Sequence, residues 1–187
     1  YLQTHVAESA AEVAWVRDLF PQARTYLDVY AGHGLLTSRS VLAHCLHLDD
    51  PDLETFAASG AAMAFCPSSN LFLGSGLLDV SRADRHRIPI GIGTDVGAGT
   101  SFSVLRTLGD AYKVAQMQGQ VLTPARMLYM ATLGGAHALG LASRGGNFAP
   151  GKDADIVVLD PSATELTALR LEDASDPLET LFALSML

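Results

Sequence analysis

Short apolar runs with strand character alternate with helical signals over residues 1–140 of the chain. Ser9 and Glu12 have the spacing of a capping box ahead of an apolar helical repeat, and Thr123 precedes a proline at another helix start. Strands separated by helices pair in parallel, so this alternation predicts an α/β fold with a parallel sheet. Four βα units match half of an eightfold barrel, although an open sheet has the same pattern. The strand-like runs lie at 1–5, 40–48, 61–66 and 89–94.

The rest of the chain has a different character. Residues 144–152 are rich in turn-forming residues, and residues 153–160 have the composition of a strand. We therefore predict that residues 1–143 form the βα units, and that residues 144–187 form a turn-rich connection, a strand of a separate small β-domain and the start of a C-terminal tail. Strand-like sequence begins at the first residue and an apolar pattern runs to the last, so we expect a piece of a larger protein.

Charge and cysteine content exclude several classes of protein. The formal net charge of −8 argues against a nucleic-acid partner and against an anionic membrane surface, since both require clustered Lys and Arg. The apolar stretches are too short and too interrupted for a membrane span or a signal peptide. Cys45 and Cys66 form no disulfide framework, which favours a reducing compartment and predicts a cytoplasmic protein.

Residues suited to metal chemistry recur on the predicted strands. His5 closes the first strand, His44 lies on the second, and Asp95 follows the fourth. Because active sites of parallel barrels lie at the carboxyl ends of the strands, we expect these side chains to share one pocket. Glu8 falls in the loop after His5, where a carboxylate can move protons beside an imidazole that binds a divalent metal.

Each of these residues also has a purely structural interpretation. Glu8 could be a solvated acid near a helix start, favoured by the helix dipole, and Asp95 could be a helix cap. An acid that ends an apolar, glycine-spaced strand must nevertheless find a cation or several donors, which favours a site role for Asp95. His44 and His47 are an odd number of residues apart and face opposite sides of one strand. We assign His44, near the strand centre, to the site, and His47 to a partly exposed loop.

The sequence lacks three other functional motifs. The glycines of the segments 91–93 and 97–99 do not form the dinucleotide fingerprint. Cys66 has no second cysteine after it, so the paired-cysteine zinc motif of cytidine-type deaminases is absent. The nucleophile elbow of serine hydrolases is also missing from the sequence.

Taken in order, these segments resemble the guanine deaminases of the amidohydrolase superfamily. The resemblance covers nearly the whole chain up to residue 160. It is carried by LQTHVAE (2–8), LAHC (42–45), CPSSNL (66–71), GTDV (93–96), ATLGGA (131–136), ALGL (138–141), GGNF (145–148) and PGKDAD (150–155).

The resemblance implies the second half of a metal-dependent (β/α)₈ barrel, with a C-terminal segment that returns to a small β-domain. It further implies that His5 and Asp95 bind zinc, although iron or manganese suit the same ligands. Asp95 would also take a proton from the attacking water, and His44 would orient that water. Glu8 would protonate a ring nitrogen of guanine, so that Glu8, His5 and Asp95 contact the substrate. The products would be xanthine and ammonia.

One part of the family pattern is absent from this sequence. The two zinc ligands that such enzymes take from a His-x-His pair on the first barrel strand have no counterpart here. A catalytic zinc site usually needs three protein ligands, so we expect this chain alone to bind zinc poorly and to lack activity. Half a barrel also exposes two sheet edges, which predicts association, and related enzymes suggest a homodimer.

Two other functions remain open at this stage. The first is a related deaminase or chlorohydrolase of the same superfamily, acting on cytosine, adenosine, 8-oxoguanine or a triazine. The second is a metal-free binding or assembly protein that keeps the fold. The presence of His5, Glu8, His44 and Asp95 disfavours the second function, because such a protein would be expected to lose one of these residues.

Overall fold

The computed structural model describes residues 1–172 and 174–186. Its strands are β1 (Leu2–Val6), β2 (Ser40–His44), β3 (Ala62–Phe65) and β4 (Ile90–Ile92). They form one parallel sheet in the order β1-β2-β3-β4, so each strand lies beside its neighbours in sequence. The predicted α/β fold with a parallel sheet is confirmed.

Helices connect these strands and continue after the last of them. The described helices are α1 (Ala10–Leu19), α2 (Tyr26–Gly32), α3 (Asp50–Ser59), α4 (Pro67–Leu73), α5 (Val80–Arg85), α6 (Val104–Met117), α7 (Pro124–Ala131), α8 (Leu133–Ala138), α9 (Glu165–Arg170) and α10 (Pro177–Ser185). No described helix has the length and apolar character needed to cross a bilayer.

Several helices begin and end where local chemistry predicts. The side chains of Ser9, Ser103 and Thr123 each accept a hydrogen bond from a backbone N–H in the first turn of the helix that follows. Helix α3 begins with a reciprocal capping box between Asp49 and Asp52, and it ends at Gly60 with φ of 73°. These short-range signals fix the direction in which each helix leaves the sheet.

The apolar core packs the sheet against the surrounding helices. Burying one large apolar side chain contributes about 1.5–3 kcal/mol, so this set supplies much of the stability. The largest fully buried apolar side chains are those of Phe56, Phe65, Leu27, Leu42, Met63, Ile90, Leu108, Met127 and Met130.

Two glycines allow close approach between elements. A Cβ on Gly91 would lie 3.1 Å from the Cα of Gly135, so its absence lets α8 pack directly on β4. A Cβ on Gly109 would lie 2.2 Å from the carbonyl oxygen of Ser185, which lets α10 pack closely on α6. The chain beyond β4 is thereby attached to the same core as the sheet.

Some elements differ from the sequence-based expectation. Residues 67–70, expected as a loop, begin α4, because long-range contacts hold this polar segment in the buried interior. The single helix expected after Thr123 is divided at Thr132, whose ψ of −98° interrupts the helical backbone. Helices α2, α9 and α10 were not predicted.

The strand predicted at residues 153–160 is not formed within the described chain. This segment has no regular secondary structure, and Val157 and Val158 are more than four-fifths exposed. A strand needs a neighbouring strand for its backbone hydrogen bonds, and no strand of the described sheet runs beside this segment. The assignment of residues 144–187 to a small β-domain stays a prediction.

Candidate metal and active site

The polypeptide leaves the sheet in an uncommon conformation at the carboxyl ends of three strands. Ala7 after β1, His44 and Cys45 at the end of β2, and Asp95 after β4 have φ of 50°, 68°, 56° and 48°. A left-handed residue other than glycine costs roughly 1–2 kcal/mol, and such residues cluster at functional sites. This edge of the sheet therefore has the backbone strain that is typical of a functional site.

His44 lies at the centre of this edge. It is the last residue of β2 and is 4% exposed, so the expectation that it lies mid-strand was wrong. The strand stops there because Cys45 turns away in the left-handed region, and its N–H bonds to the carbonyl of Val6. The strand end, rather than the strand interior, presents the imidazole to the site.

Two carboxylates flank the imidazole of His44 on opposite nitrogens. Glu8 Oε1 lies 3.7 Å from His44 Nδ1, and Asp95 Oδ2 lies 3.9 Å from His44 Nε2. These three residues come from loops and strand ends that are far apart in sequence. The structure thus brings together Glu8, His44 and Asp95, as the sequence pattern predicted.

His5 lies at the rim of the same group. Its side chain is 55% exposed, and its Nε2 is 3.1 Å from Glu12 Oε1. Its ring centroid lies 6.3 Å from that of His44. The hydroxyl of Tyr30 on α2 donates to the carbonyl of His5 (3.0 Å), so the unpredicted helix α2 supports the end of β1.

Glu12 does more than the capping role predicted for it. The hydroxyl of Ser9 accepts from the Glu12 N–H (3.2 Å), as in a capping box. The Glu12 carboxylate, however, accepts from the Glu8 N–H (2.8 Å) and also contacts His5. Glu12 therefore links the helix start to two predicted site residues.

His47 lies outside the group. It is exposed in the turn after β2, where its Nε2 is 3.0 Å from the carbonyl oxygen of Ser75. The prediction that His47 is a loop histidine is confirmed, because β2 ends at His44, before this residue.

The described residues contain a set of side chains that could hold a metal ion. Ligand atoms of His44, Cys66 and Asp95 all lie within 4.8 Å of one another. Nitrogen, sulfur and oxygen donors of this kind bind zinc, and a second carboxylate from Glu8 adds negative charge beside them. The chemistry of the donor set fits a divalent metal. The pairing of His5 with Asp95 as ligands is tested by none of these distances and stays a prediction.

The sequence patterns missed Cys66 as a member of this group. Burial, together with the carboxylates of Asp95 and Glu8, raises the pKa of its thiol to about 12, so the thiol is neutral at physiological pH. In the sequence, Cys66 has no second cysteine after it and matches no paired-cysteine motif. The signal that could have identified it was its position directly after β3, at the same edge as His44 and Asp95.

The segment after Cys66 supplies further buried polar groups. Asn70 Nδ2 lies 2.9 Å from His44 Nδ1, and Asn70 is 1% exposed. Ser68 Oγ accepts from the backbone N–H of Thr100 (3.0 Å), which ties α4 to the loop that carries Asp95. The hydroxyl of Ser75 is 3.4 Å from Glu8 Oε1. Helix α4 and the residues after it therefore support all three central side chains.

Comparison with known proteins gives a consistent result. The model of the Amidohydrolase family matches residues 1–185. The guanine deaminase of Escherichia coli is 45% identical over 187 residues, which is 100% of this chain and 43% of that protein. The guanine deaminase of Mus musculus is 40% identical over 171 residues, or 88% of this chain and 38% of that protein.

Solved structures agree in fold. The structure of E. coli guanine deaminase superposes with a TM-score of 0.97 at 45% identity, covering 100% of this chain and 43% of that one. An adenosine deaminase from Xanthomonas campestris, solved with bound zinc, superposes with a TM-score of 0.86 at 30% identity, covering 96% and 40%. The predicted partial barrel is confirmed by these matches. The chain spans less than half the length of the relatives it matches, and it belongs to the amidohydrolase family.

Proposed function

We propose that the complete protein to which this chain belongs hydrolyses guanine to xanthine and ammonia with the help of zinc. The observation that carries the proposal is the convergence of Glu8, His44 and Asp95 in a chain whose whole length is 45% identical to a guanine deaminase. The two carboxylates lie on either side of the His44 imidazole. In this proposal one of them accepts a proton from the reacting water, and the other donates a proton to the substrate.

Asp95 and His5 are the proposed metal ligands within this chain. Zinc, when bound, lowers the pKa of a coordinated water toward about 7 and so provides hydroxide at neutral pH. The Nε2 atom of His5 contacts Glu12 in this structure, and in the proposal it would bind the metal instead. A catalytic site needs about three protein ligands, so the remaining ones come from other parts of the protein, and the chain alone is inactive.

The geometry around His44 supports the proposed proton transfers. Asp95 takes a proton from the attacking water, and His44, held between two carboxylates, orients that water by a hydrogen bond. Glu8 gives a proton to a ring nitrogen of guanine and later takes up the hydroxyl proton of the adduct. It helps to pass the proton that Asp95 took from water to the departing amine, so both carboxyl groups return to their starting states. The new bond joins the water oxygen to the amino-bearing ring carbon, the carbon–nitrogen bond breaks, and ammonia leaves.

Glu8 is prepared for this role by its surroundings. It is partly buried, the Ser75 hydroxyl contacts its carboxylate, and its backbone N–H bonds to Glu12. Glu8, His5 and Asp95 line the proposed contact with the purine. Iron or manganese in place of zinc would suit the same imidazole and carboxylate donors.

The remaining expectations become part of the same proposal. Residues 144–187 join a small β-domain in the complete protein, which would give the exposed apolar segment at 153–160 a neighbouring strand. The protein acts in the cytoplasm, as a homodimer, on a free purine and water. Nucleic acid and membranes are not its partners, in keeping with its acidic charge.

The decisive experiment uses the complete protein. Zinc content and ammonia release from guanine, adenine, cytosine and a triazine are measured for the native sequence and for Glu8→Gln. We expect bound zinc, a preference for guanine, and a loss of about 10²–10⁴-fold in turnover for Glu8→Gln with the zinc retained. Glu54→Gln, the same change at an exposed position on α3, is the matched control.

Two results would contradict the proposal in different ways. Zinc with turnover of another amine or a triazine, and none of guanine, would favour a related hydrolase, which the similarity to the zinc-containing adenosine deaminase makes a real alternative. A protein with neither metal nor turnover would favour a binding or assembly role.

A further inference from the structure

Asn70 and His44 form a contact that the proposed reaction does not use. The amide nitrogen Nδ2 of Asn70 lies 2.9 Å from Nδ1 of His44, at hydrogen-bond distance. The two residues are 1% and 4% exposed, so water does not compete for the contact. A buried contact of this kind between an amide and an imidazole determines which ring nitrogen carries the proton.

The backbone holds Asn70 firmly in place. Its N–H donates to the carbonyl of Cys66 (3.1 Å), and its own carbonyl accepts from the N–H of Ser75 (3.0 Å). Both neighbours in these bonds lie at the site themselves, because the Cys66 thiol is close to His44 and Asp95, and Ser75 contacts Glu8. The amide of Asn70 is therefore a fixed reference for the orientation of the imidazole.

We infer that Asn70 is a positioning residue that holds His44 in the tautomer with its proton on Nε2. The amide N–H of Asn70 donates to Nδ1, which leaves Nε2 as the N–H donor on the side of Asp95. The inference deepens the proposed function, because a His44 that donates from Nε2 can hold an oxygen of the reacting water.

The opposite orientation of the amide is disfavoured by the same geometry. If the Asn70 oxygen faced His44, Nδ1 would carry the proton and Nε2 would present a lone pair. Asp95 Oδ2 lies 3.9 Å from that nitrogen, so two acceptors would face each other there. With the Asn70 amide nitrogen toward His44, Glu8 Oε1 is 3.7 Å from Nδ1, but the Asn70 donor is closer, at 2.9 Å, and pairs with that lone pair. In the orientation observed, Asn70 Oδ1 has no hydrogen-bond partner among the described residues. A buried acceptor without a partner is destabilising, so this orientation of Asn70 does not serve the stability of the fold.

The test begins with a spectroscopic measurement that does not depend on turnover. In the complete, zinc-containing protein labelled with ¹⁵N-histidine, the nitrogen shifts and long-range couplings of His44 report its tautomer, with His44→Gln used to assign the signal. We expect the proton on Nε2 in the native sequence. A proton on Nδ1 would overturn the inference.

The variants then separate positioning from simple packing. Asn70→Asp keeps the shape of the side chain and replaces the donor by an acceptor, so the tautomer of His44 should reverse. We expect kcat for ammonia release from guanine to fall by about 10- to 100-fold, with little change in KM. Asn70→Leu, which has no charge and no donor, should give both tautomers and a smaller loss. Asn147→Asp, the same change at an exposed residue, should leave both properties unchanged.

The outcomes distinguish this inference from the proposed function. Native tautomer and native kcat in Asn70→Asp would overturn the inference, because an acceptor would then serve as well as a donor. If Asn70→Asp fails to fold, the tautomer mixture in Asn70→Leu decides the question. An Nε2–H tautomer that depends on Asn70, in a protein that does not deaminate guanine, would support the positioning role and reject the proposed function.

Discussion

The apolar interior and the carboxyl edge of the sheet are built by different rules. In the interior, regular strands and helices bury side chains such as Phe56, Phe65 and Ile90, whose contacts are non-directional. At the edge, the backbone of His44 and Asp95 is left-handed, and buried polar side chains replace apolar ones. The two regions are only a few residues apart along each strand.

This difference separates the sources of stability from the sources of chemistry. Each large side chain buried in the interior contributes about 1.5–3 kcal/mol, and a neighbouring apolar residue can replace much of a lost contact. Each left-handed residue at the edge costs roughly 1–2 kcal/mol. Burial of apolar side chains in the interior therefore compensates for the backbone strain at the edge. The chemistry of the edge, in contrast, depends on the identity of single residues.

The largest expected effect comes from a change at the edge that leaves the fold intact. Asp95→Asn keeps the shape of the side chain and tolerates a φ of 48°, but it removes the charge that is proposed to bind metal and to accept a proton. In the complete protein, we expect zinc content to fall and guanine turnover to drop by about 10²–10⁴-fold or more. Metal analysis and ammonia release measure both properties.

The control for Asp95→Asn is the same change at an exposed acid outside the site, Asp155→Asn. Its zinc content and turnover should equal those of the native sequence. Native zinc binding and native turnover in Asp95→Asn would remove Asp95 from the proposed site. In the metal-free proteins, thermal unfolding should differ little between the two variants, because neither changes the interior.

A change in the interior should have the reverse pattern. Phe56 on α3 is fully buried, so Phe56→Ala leaves a cavity and should lower the free energy of unfolding by about 3–5 kcal/mol. The molecules that remain folded should keep kcat close to native. Chemical denaturation and kinetics at low temperature separate the two effects.

Phe56→Leu serves as the control for this prediction, because it keeps most of the apolar volume. It should cost less than about 1.5 kcal/mol. An unchanged denaturation midpoint in Phe56→Ala, together with a collapse of kcat, would contradict the separation between interior and edge.

The sequence predicts those features whose causes are local. The helix starts at Ser9 and Thr123 were predicted because each cap lies within three residues of the N–H it binds. The apolar runs likewise located the strands, since burial acts on consecutive residues. Helix α2 was not predicted although the side chain of Thr25 caps its first turn, because the helix is only seven residues long and contacts such as that of Tyr30 with the end of β1 hold it in place.

The candidate site shows the corresponding limit. Position at strand ends was enough to find His5 and Asp95, because parallel strands bring their carboxyl ends together. His44 was assigned to the site along with them, but it was expected near the centre of the strand rather than at its end. The sequence did not predict Cys66 and Asn70 as members of the site, because they join it through contacts with segments about 20 to 30 residues away in sequence. The segment at 153–160 has the composition of a strand but no neighbouring strand among the described residues, so its place in a small β-domain stays a prediction.

The smallest expected effect tests a polar link outside the site. Asp79 caps α5 by accepting from the Arg82 N–H (2.9 Å), and it also accepts from Ser81 Oγ and Gln120 Nε2, both at 2.7 Å. Asp79→Ala removes the cap and should cost about 1 kcal/mol of unfolding free energy. Guanine turnover should be unaffected, because Asp79 lies outside the group that contains Glu8.

The pH dependence of stability sharpens this last prediction. Burial raises the pKa of Asp79, but the hydrogen bonds from Ser81, from the Arg82 backbone and from Gln120 outweigh burial and lower the pKa below its usual 3.8. A carboxyl whose folded pKa is depressed stabilises the protein above the unfolded pKa and loses that contribution as pH falls through the folded pKa. The stability difference between the native sequence and Asp79→Ala should therefore be constant near neutral pH and shrink below about pH 4. Asp79→Asn should keep part of the cap without this pH dependence, and a stability difference that grows as the pH falls would contradict the assignment.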